Sequence, residues 1–152
     1  TQFGREFRIV KFRTMTHRPA APGDQITRGD DPRITRVGAV LRRYRLDEIS
    51  QLIDILRGTM SFVGTRPEVP DYVRQYTPQM RATLLLPAGV TSTASIEFKD
   101  EAQILAAAPP GQDAYVTQVL PAKMRLNLRD VRDFSIGRDL RIAFRTILAV
   151  AT

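Results

Sequence analysis

Asp47 and Glu48 are neighbouring carboxylates in "RLDEISQL", residues 45–52, and Arg42, Arg43 and Arg45 stand directly upstream. Guanidinium groups at that junction can hold a phosphate beside the two acids. Arg66 follows a Gly64-Thr65 turn and precedes Pro67, a rigid corner suited to a bidentate phosphate clamp. Lys11 and Arg13, in "KFRTM", lie two apart and share a side if a strand continues through them. Each feature also has a plain reading. Adjacent carboxylates point about 100° apart on a helix, so the pair could be no more than an acidic first turn. The basic run could be a solvated face.

Other chemistry is excluded or weak. No cysteine is present, so thiolate nucleophiles, disulfides and Cys-ligated zinc are ruled out. His17, the only histidine, sits in a proline-rich loop with no carboxylate beside it in sequence and reads as surface polar. No Ser-His pairing and no glycine-rich phosphate loop is found. The net charge of +7 favours anionic partners: nucleic acid, an acidic membrane face or phosphorylated small molecules. Aromatics that would stack bases are only 7% and are not interleaved with the basic residues, which argues against nucleic acid. The same scarcity predicts a mainly aliphatic core.

The 152 residues suit one domain with a real core. Phe7 to Phe12 reads as a short strand, and residues 16 to 32 as a loop rich in proline and glycine. Ile34, Val37, Val40 and Leu41 repeat at helical spacing, with arginines off that stripe. Leu46, Ile49, Leu52, Ile53 and Leu56 predict a second helix ending at Gly58, with Asp47 and Glu48 in its first turn. The positive end of the helix dipole should keep both acids ionised there. Residues 60 to 63 suit a strand, Gly64 to Pro67 a turn and Pro67 to Met80 a third helix. "TSTASIEFK" alternates enough for strand, residues 106 to 111 form a linker, and two helices fill Ala114 to Ala151 with a break near Ser135 to Gly137. The expected class is α+β: a mostly helical single domain with a few short strands.

Three stretches resemble the bacterial sugar transferases, the monotopic polyprenyl-phosphate phosphoglycosyl transferases. They are "FRIVKFRTM", "DPRITRVGAVLRRYRLDEISQLIDILRGTMSFVGTRPE" and "PAGVTSTASIEF", in the family's order and spacing. The resemblance implies transfer of a sugar phosphate from a nucleotide diphosphate sugar, by family habit a UDP-sugar, to polyprenyl phosphate, which initiates surface glycan synthesis. It implies Asp47 as nucleophile, forming a covalent aspartyl-phosphosugar, with Glu48 as its partner and both acids on Mg²⁺. It implies phosphate binding by Lys11, Arg13, Arg42, Arg66 and, on a loose alignment, Lys99. It further implies that residues 1–152 are the catalytic domain of an enzyme on the cytoplasmic face of the bacterial inner membrane, soluble on its own, with the N-terminal anchoring helix absent from this chain. Homo-oligomerisation is left open.

The chain departs from the family pattern in several places. Ile49-Ser50 replaces Leu-Pro, Asp54 an Asn, Thr59 an Asp and Thr65 a Pro. Ala88 to Ser92 replaces Pro-Gly-Ile-Thr-Gly, and Asn127 stands where the family carries an Asp. Ser92 and Asn127 motivate the main alternative, a catalytically degenerate homologue acting as a scaffold or regulatory partner. A basic nucleic-acid-binding module ranks below it.

Overall fold

The computed structural model describes residues 2–16, 31–106 and 114–151. His17, most of the loop expected over 16 to 32 and most of the linker expected over 106 to 111 lie outside them. Helices dominate around one two-stranded sheet, the α+β class expected.

Helix α1 spans Arg36–Arg43 and starts where Thr35 Oγ1 accepts the Gly38 N–H at 2.9 Å, an N-cap. The second predicted helix forms in two windings. A 3-10 helix covers Leu46–Gln51 and passes into α2, Leu52–Leu56. Gly58 closes it in the left-handed region at φ 74°, which costs glycine little. Strand β1, Met60–Val63, follows as predicted.

The third predicted helix shrinks to α3, Pro70–Val73. Pro70 explains the late start, because the residue before a proline is pushed out of the helical region, and Val69 is extended at φ −68°, ψ 149°. A 3-10 helix over Met80–Leu85 leads to β2, Ala88–Thr91, which pairs parallel to β1 with Met60 opposite Ala88 and Val63 opposite Thr91. The strand expected through "TSTASIEFK" stops at Thr91. Ser92 Oγ then accepts the Ser95 N–H at 3.1 Å and caps α4, Thr93–Glu97. Asp130 adds a second cap, accepting from Thr93 N at 3.1 Å and Thr93 Oγ1 at 3.0 Å. Local capping chemistry overrides alternation there. Helices α5 (Glu101–Ala106), α6 (Leu120–Arg132) and α7 (Ile136–Ala151) complete the chain, with the predicted break falling between α6 and α7.

The expected strand over residues 7 to 12 does not form. That segment is tied to side chains and a helix end instead of a neighbouring strand: Val10 N donates to Asp54 Oδ2 at 2.9 Å, Ser50 Oγ donates to Val10 O at 3.0 Å, and Phe12 N donates to Asp47 O at 3.1 Å. Two departures from the family pattern, Ser50 and Asp54, thus hold the segment carrying Lys11 against the acidic turn.

The core is mainly aliphatic, as expected, and two tyrosines enter it. Tyr76 and Tyr115 are buried together with Val119, Leu120 and Met124, and Tyr72 packs on them with its ring 4.6 Å from that of Tyr115. Tyrosine fills a core economically where a partner for its hydroxyl exists. Tyr115 lies in a π-helical turn, Tyr115–Val119, just before Pro121, which has no N–H to continue the normal ladder. The widened turn directs Tyr115, Val119 and Leu120 inward together.

Candidate active site

Arg45 makes the corner that aims the acids. It is not glycine, yet it sits left-handed at φ 54°, ψ 22°, between α1 and the 3-10 helix. Such a conformation costs on the order of 1 kcal/mol and is held only where the surroundings demand it. Two contacts do so: Arg45 N donates to Arg42 O at 3.2 Å, and Arg45 Nη1 lies 3.6 Å from Glu48 Oε1.

A second corner comes from the opposite side. Gly64 N donates to Thr91 O at 2.9 Å, and Gly89 N donates to Thr65 O at 3.0 Å. The backbones approach so closely that a Cβ on Gly89 would stand 2.1 Å from Gly64 N. Only glycine fits. This contact draws the Thr65 to Pro67 corner over β2, and Arg66 reaches Glu48 with both arms: Nη1 to Oε2 at 3.2 Å and Nη2 to Oε1. Nη1 also approaches Val90 O at 3.5 Å.

The two acids therefore meet different fates. Burial alone would raise the Glu48 carboxyl, but the Arg66 hydrogen bonds and the charges of Arg66, Arg45 and Lys11 outweigh it and hold the group below its ordinary value. Asp47 is only 8% exposed, and its Oδ1 is buried without a hydrogen-bond partner. Burial, then the neighbouring Glu48 charge, pushes its carboxyl above the ordinary range, against weaker lowering by its own backbone, Arg42 and Lys11. The dipole effect expected to favour ionisation of both acids is opposed at Asp47 by desolvation.

Asp47 and Glu48 lie in an open cleft of about 600 Å³, whose walls include Lys11, Arg42, Arg66 and Lys99. These residues, expected from the sequence, come together. Arg13 does not: it is exposed and is not among the residues lining the cleft. Arg43 and Arg45 do line it. Arg66 meets a carboxylate here and not open space, so any phosphate must share it. With five donors and three contacts to Glu48 and Val90, it can grip Glu48 and still offer hydrogens to a phosphate oxygen.

Sequence reasoning missed the far wall. Lys123, 7% exposed, lies 2.9 Å from Glu101 Oε2 and 3.5 Å from Glu68 Oε1, and the Tyr115 hydroxyl donates to Glu68 Oε1. All four line the cleft. Burial, with Glu68 close by, drives the Tyr115 phenol far above its ordinary value, so it stays a donor. One signal was available: Lys123 occupies a core-facing position of α6 between Leu120 and Met124, where a lysine must be paired. Asn127 lies one turn further on the same face, buried, with its Oδ1 unpartnered, and it does not line the cleft.

For a divalent cation the donor set is small. Among the described residues no cluster of three or more acidic or histidine side chains forms. Asp47 Oδ1 has capacity to spare, and each Glu48 oxygen keeps a lone pair beyond its Arg66 bond. One or two carboxylates completed by phosphate oxygens is an ordinary Mg²⁺ environment, so the residues fit the ion.

A model of the bacterial sugar transferase family matches residues 1–152. The chain is 31% identical to a UDP-N-acetylgalactosamine-undecaprenyl-phosphate N-acetylgalactosaminephosphotransferase of Aeromonas hydrophila, covering 97% of this chain and 33% of that protein. It is 33% identical to a UDP-glucose:undecaprenyl-phosphate glucose-1-phosphate transferase of Caulobacter vibrioides, covering 98% of this chain and 53% of the relative. It is 35% identical to the exopolysaccharide production protein ExoY of Sinorhizobium fredii, covering 97% and 65%. The chain thus spans from a third to about two thirds of the length of these relatives.

Proposed function

The chain belongs to the bacterial sugar transferase family, and on that premise we propose that residues 1–152 are the catalytic domain of a phosphoglycosyl transferase that moves a sugar phosphate from a nucleotide diphosphate sugar to polyprenyl phosphate. The observation that carries the reading is the buried, partnerless Asp47 oxygen in a cleft walled by cations. The relatives' names supply the substrate classes: a UDP-sugar donor and an undecaprenyl phosphate acceptor.

In the first step an Asp47 carboxylate oxygen bonds to the sugar-bearing phosphorus, and the bond from that phosphorus to the bridging oxygen breaks. The nucleoside monophosphate leaves with that oxygen and the electron pair. In the second, an oxygen of the lipid phosphate bonds to the same phosphorus and the Asp47 carboxylate departs. Desolvation leaves Asp47 poorly stabilised as an anion, which favours attack once the site is charged correctly. Glu48, fixed by Arg66, sets the position of the turn. Lys11, Arg42, Arg45 and Lys99 lower the cost of bringing a diphosphate to a carboxylate. Mg²⁺, held by Asp47 and Glu48, would supply further charge neutralisation on the diphosphate. Two half-reactions predict parallel double-reciprocal lines when donor and acceptor are varied together. Intersecting lines would point to direct transfer.

The membrane placement rests on the exposed surface. Among the described residues no helix is long and apolar enough to cross a membrane. Val37, Val40, Ile49, Leu52 and Leu56 are exposed in α1, the acidic turn and α2; Ile136, Leu140, Phe144 and Ile147 are exposed at helical spacing along α7. Together with the basic charge they suit an anionic leaflet. Vesicles with anionic lipid should pull the domain down, and less so as salt rises. Equal binding to neutral and anionic vesicles would contradict this placement.

A further inference from the structure

We propose that a second groove, of about 480 Å³, holds the first isoprene units of the acceptor and delivers its phosphate to Asp47 from the side away from the far wall; this assignment rests on the reading above. The groove shares Arg42, Arg43, Arg45, Glu48, Ser95 and Lys99 with the reacting cleft, so the two cavities meet along one cationic seam. Beyond those shared residues its lining is largely apolar, with Ile49, Leu52, Ile55, Phe62, Ile96 and Val150, and Asp100 the one further charged group. Thr91 Oγ1 and Thr146 Oγ1, both in its lining, share a hydrogen bond of 2.7 Å that ties α7 to β2.

The pattern of charge selects the occupant. A wholly apolar segment laid in the groove would cover the charges of Arg42, Arg43, Arg45 and Lys99 and bring no anion to them, which is costly. A hydrophilic phosphate ester would leave Leu52 and Phe62 in water, where both are already exposed. An amphiphile with an anionic head and an apolar tail satisfies both ends. Leu52 and Val150 also stand beside the exposed apolar residues of α2 and α7, so a tail leaving the groove emerges on the face assigned to the membrane. The reaction requires such an arrangement: with the phosphosugar on Asp47, the incoming phosphate needs an approach of its own.

The test uses the full-length enzyme in detergent, wild type and with Leu52→Gln and Phe62→Gln combined, both positions being exposed enough to tolerate the change. Calorimetry with farnesyl phosphate below its micellar concentration should show Kd raised about ten-fold or more in the variant, as loss of two apolar contacts implies. Binding of phenyl phosphate should be unchanged. Labelling of the protein by donor alone should also proceed at the wild-type rate. Equal farnesyl phosphate affinity in the two proteins overturns the groove, as does equal weakening of both phosphates. Absence of donor labelling in the wild type counts against the catalytic reading and leaves the binding comparison to decide the groove on its own.

Discussion

Asp47→Asn should abolish turnover and at the same time make the protein more stable. The substitution keeps the shape of the side chain and removes the carboxylate proposed to attack phosphorus, so loss below detection is expected. The gain in stability follows from the raised carboxyl of Asp47, whose causes are burial and then the charge of Glu48. A carboxylate raised in the folded protein prefers to bind its proton there, so ionising it at neutral pH opposes folding. The neutral amide removes that opposition. The advantage should be complete at neutral pH, shrink as pH falls through the raised value, and vanish below the ordinary carboxylate range. Each 1 kcal/mol would appear as roughly 2–4 °C in Tm for a chain of this size. The acid limb of wild-type kcat/KM should correspondingly lie above the usual carboxylate range. An unchanged or lowered Tm in the variant would show that Asp47 is not held at a cost.

Arg66→Lys should have the second largest effect, and on both counts in the harmful direction. A lysine keeps the charge but cannot meet both Glu48 oxygens and Val90 O together, as the guanidinium does. Glu48 would then be a buried carboxylate with its main support gone, at a cost of about 1.5–3 kcal/mol. The sign of the pH dependence is opposite to that of Asp47. Glu48 is held below its ordinary value, so its contribution to stability is present above that ordinary value and is lost as pH falls through the lowered one. The variant should therefore be most handicapped near neutral pH and converge with wild type in acid. Donor kcat/KM should fall at least ten-fold, since the acidic turn loses its anchor and a phosphate loses its planar partner. A lysine variant with wild-type Tm and activity would mean that the Arg66 to Glu48 grip does not organise the site.

These two residues also mark how much was legible in advance. The dyad, the basic run and the Arg66 corner are contiguous signals, and periodicity placed α1, β1, α6 and α7 close to their observed bounds. What escaped was set by contacts remote in sequence. Nothing local announces that Asp54, 44 residues from Val10, would bond its N–H and replace a strand partner. Pro70 was overlooked as a breaker inside a run that otherwise reads as helix. Ser92 looked like one more residue in an alternating stretch, although serine ahead of a short helical turn is a cap signal that could have been used. The left-handed Arg45 could not be foreseen, since residue type there argues for the opposite conformation. The opposite shifts of Asp47 and Glu48 depend on Arg66 arriving from 18 residues away and choosing one acid over the other.

The proposal that Asp47 is the attacking group rests on that choice, and the most direct test is the mass of the intact protein. The full-length enzyme should be incubated with nucleotide diphosphate sugar and Mg²⁺ in the absence of lipid acceptor, quenched, and weighed. The account predicts a species heavier by one sugar phosphate, released on addition of polyprenyl phosphate, with the added mass on the peptide containing Asp47 and absent from Asp47→Asn. An adduct on any other residue, or one that persists in the Asp47→Asn protein, would contradict it.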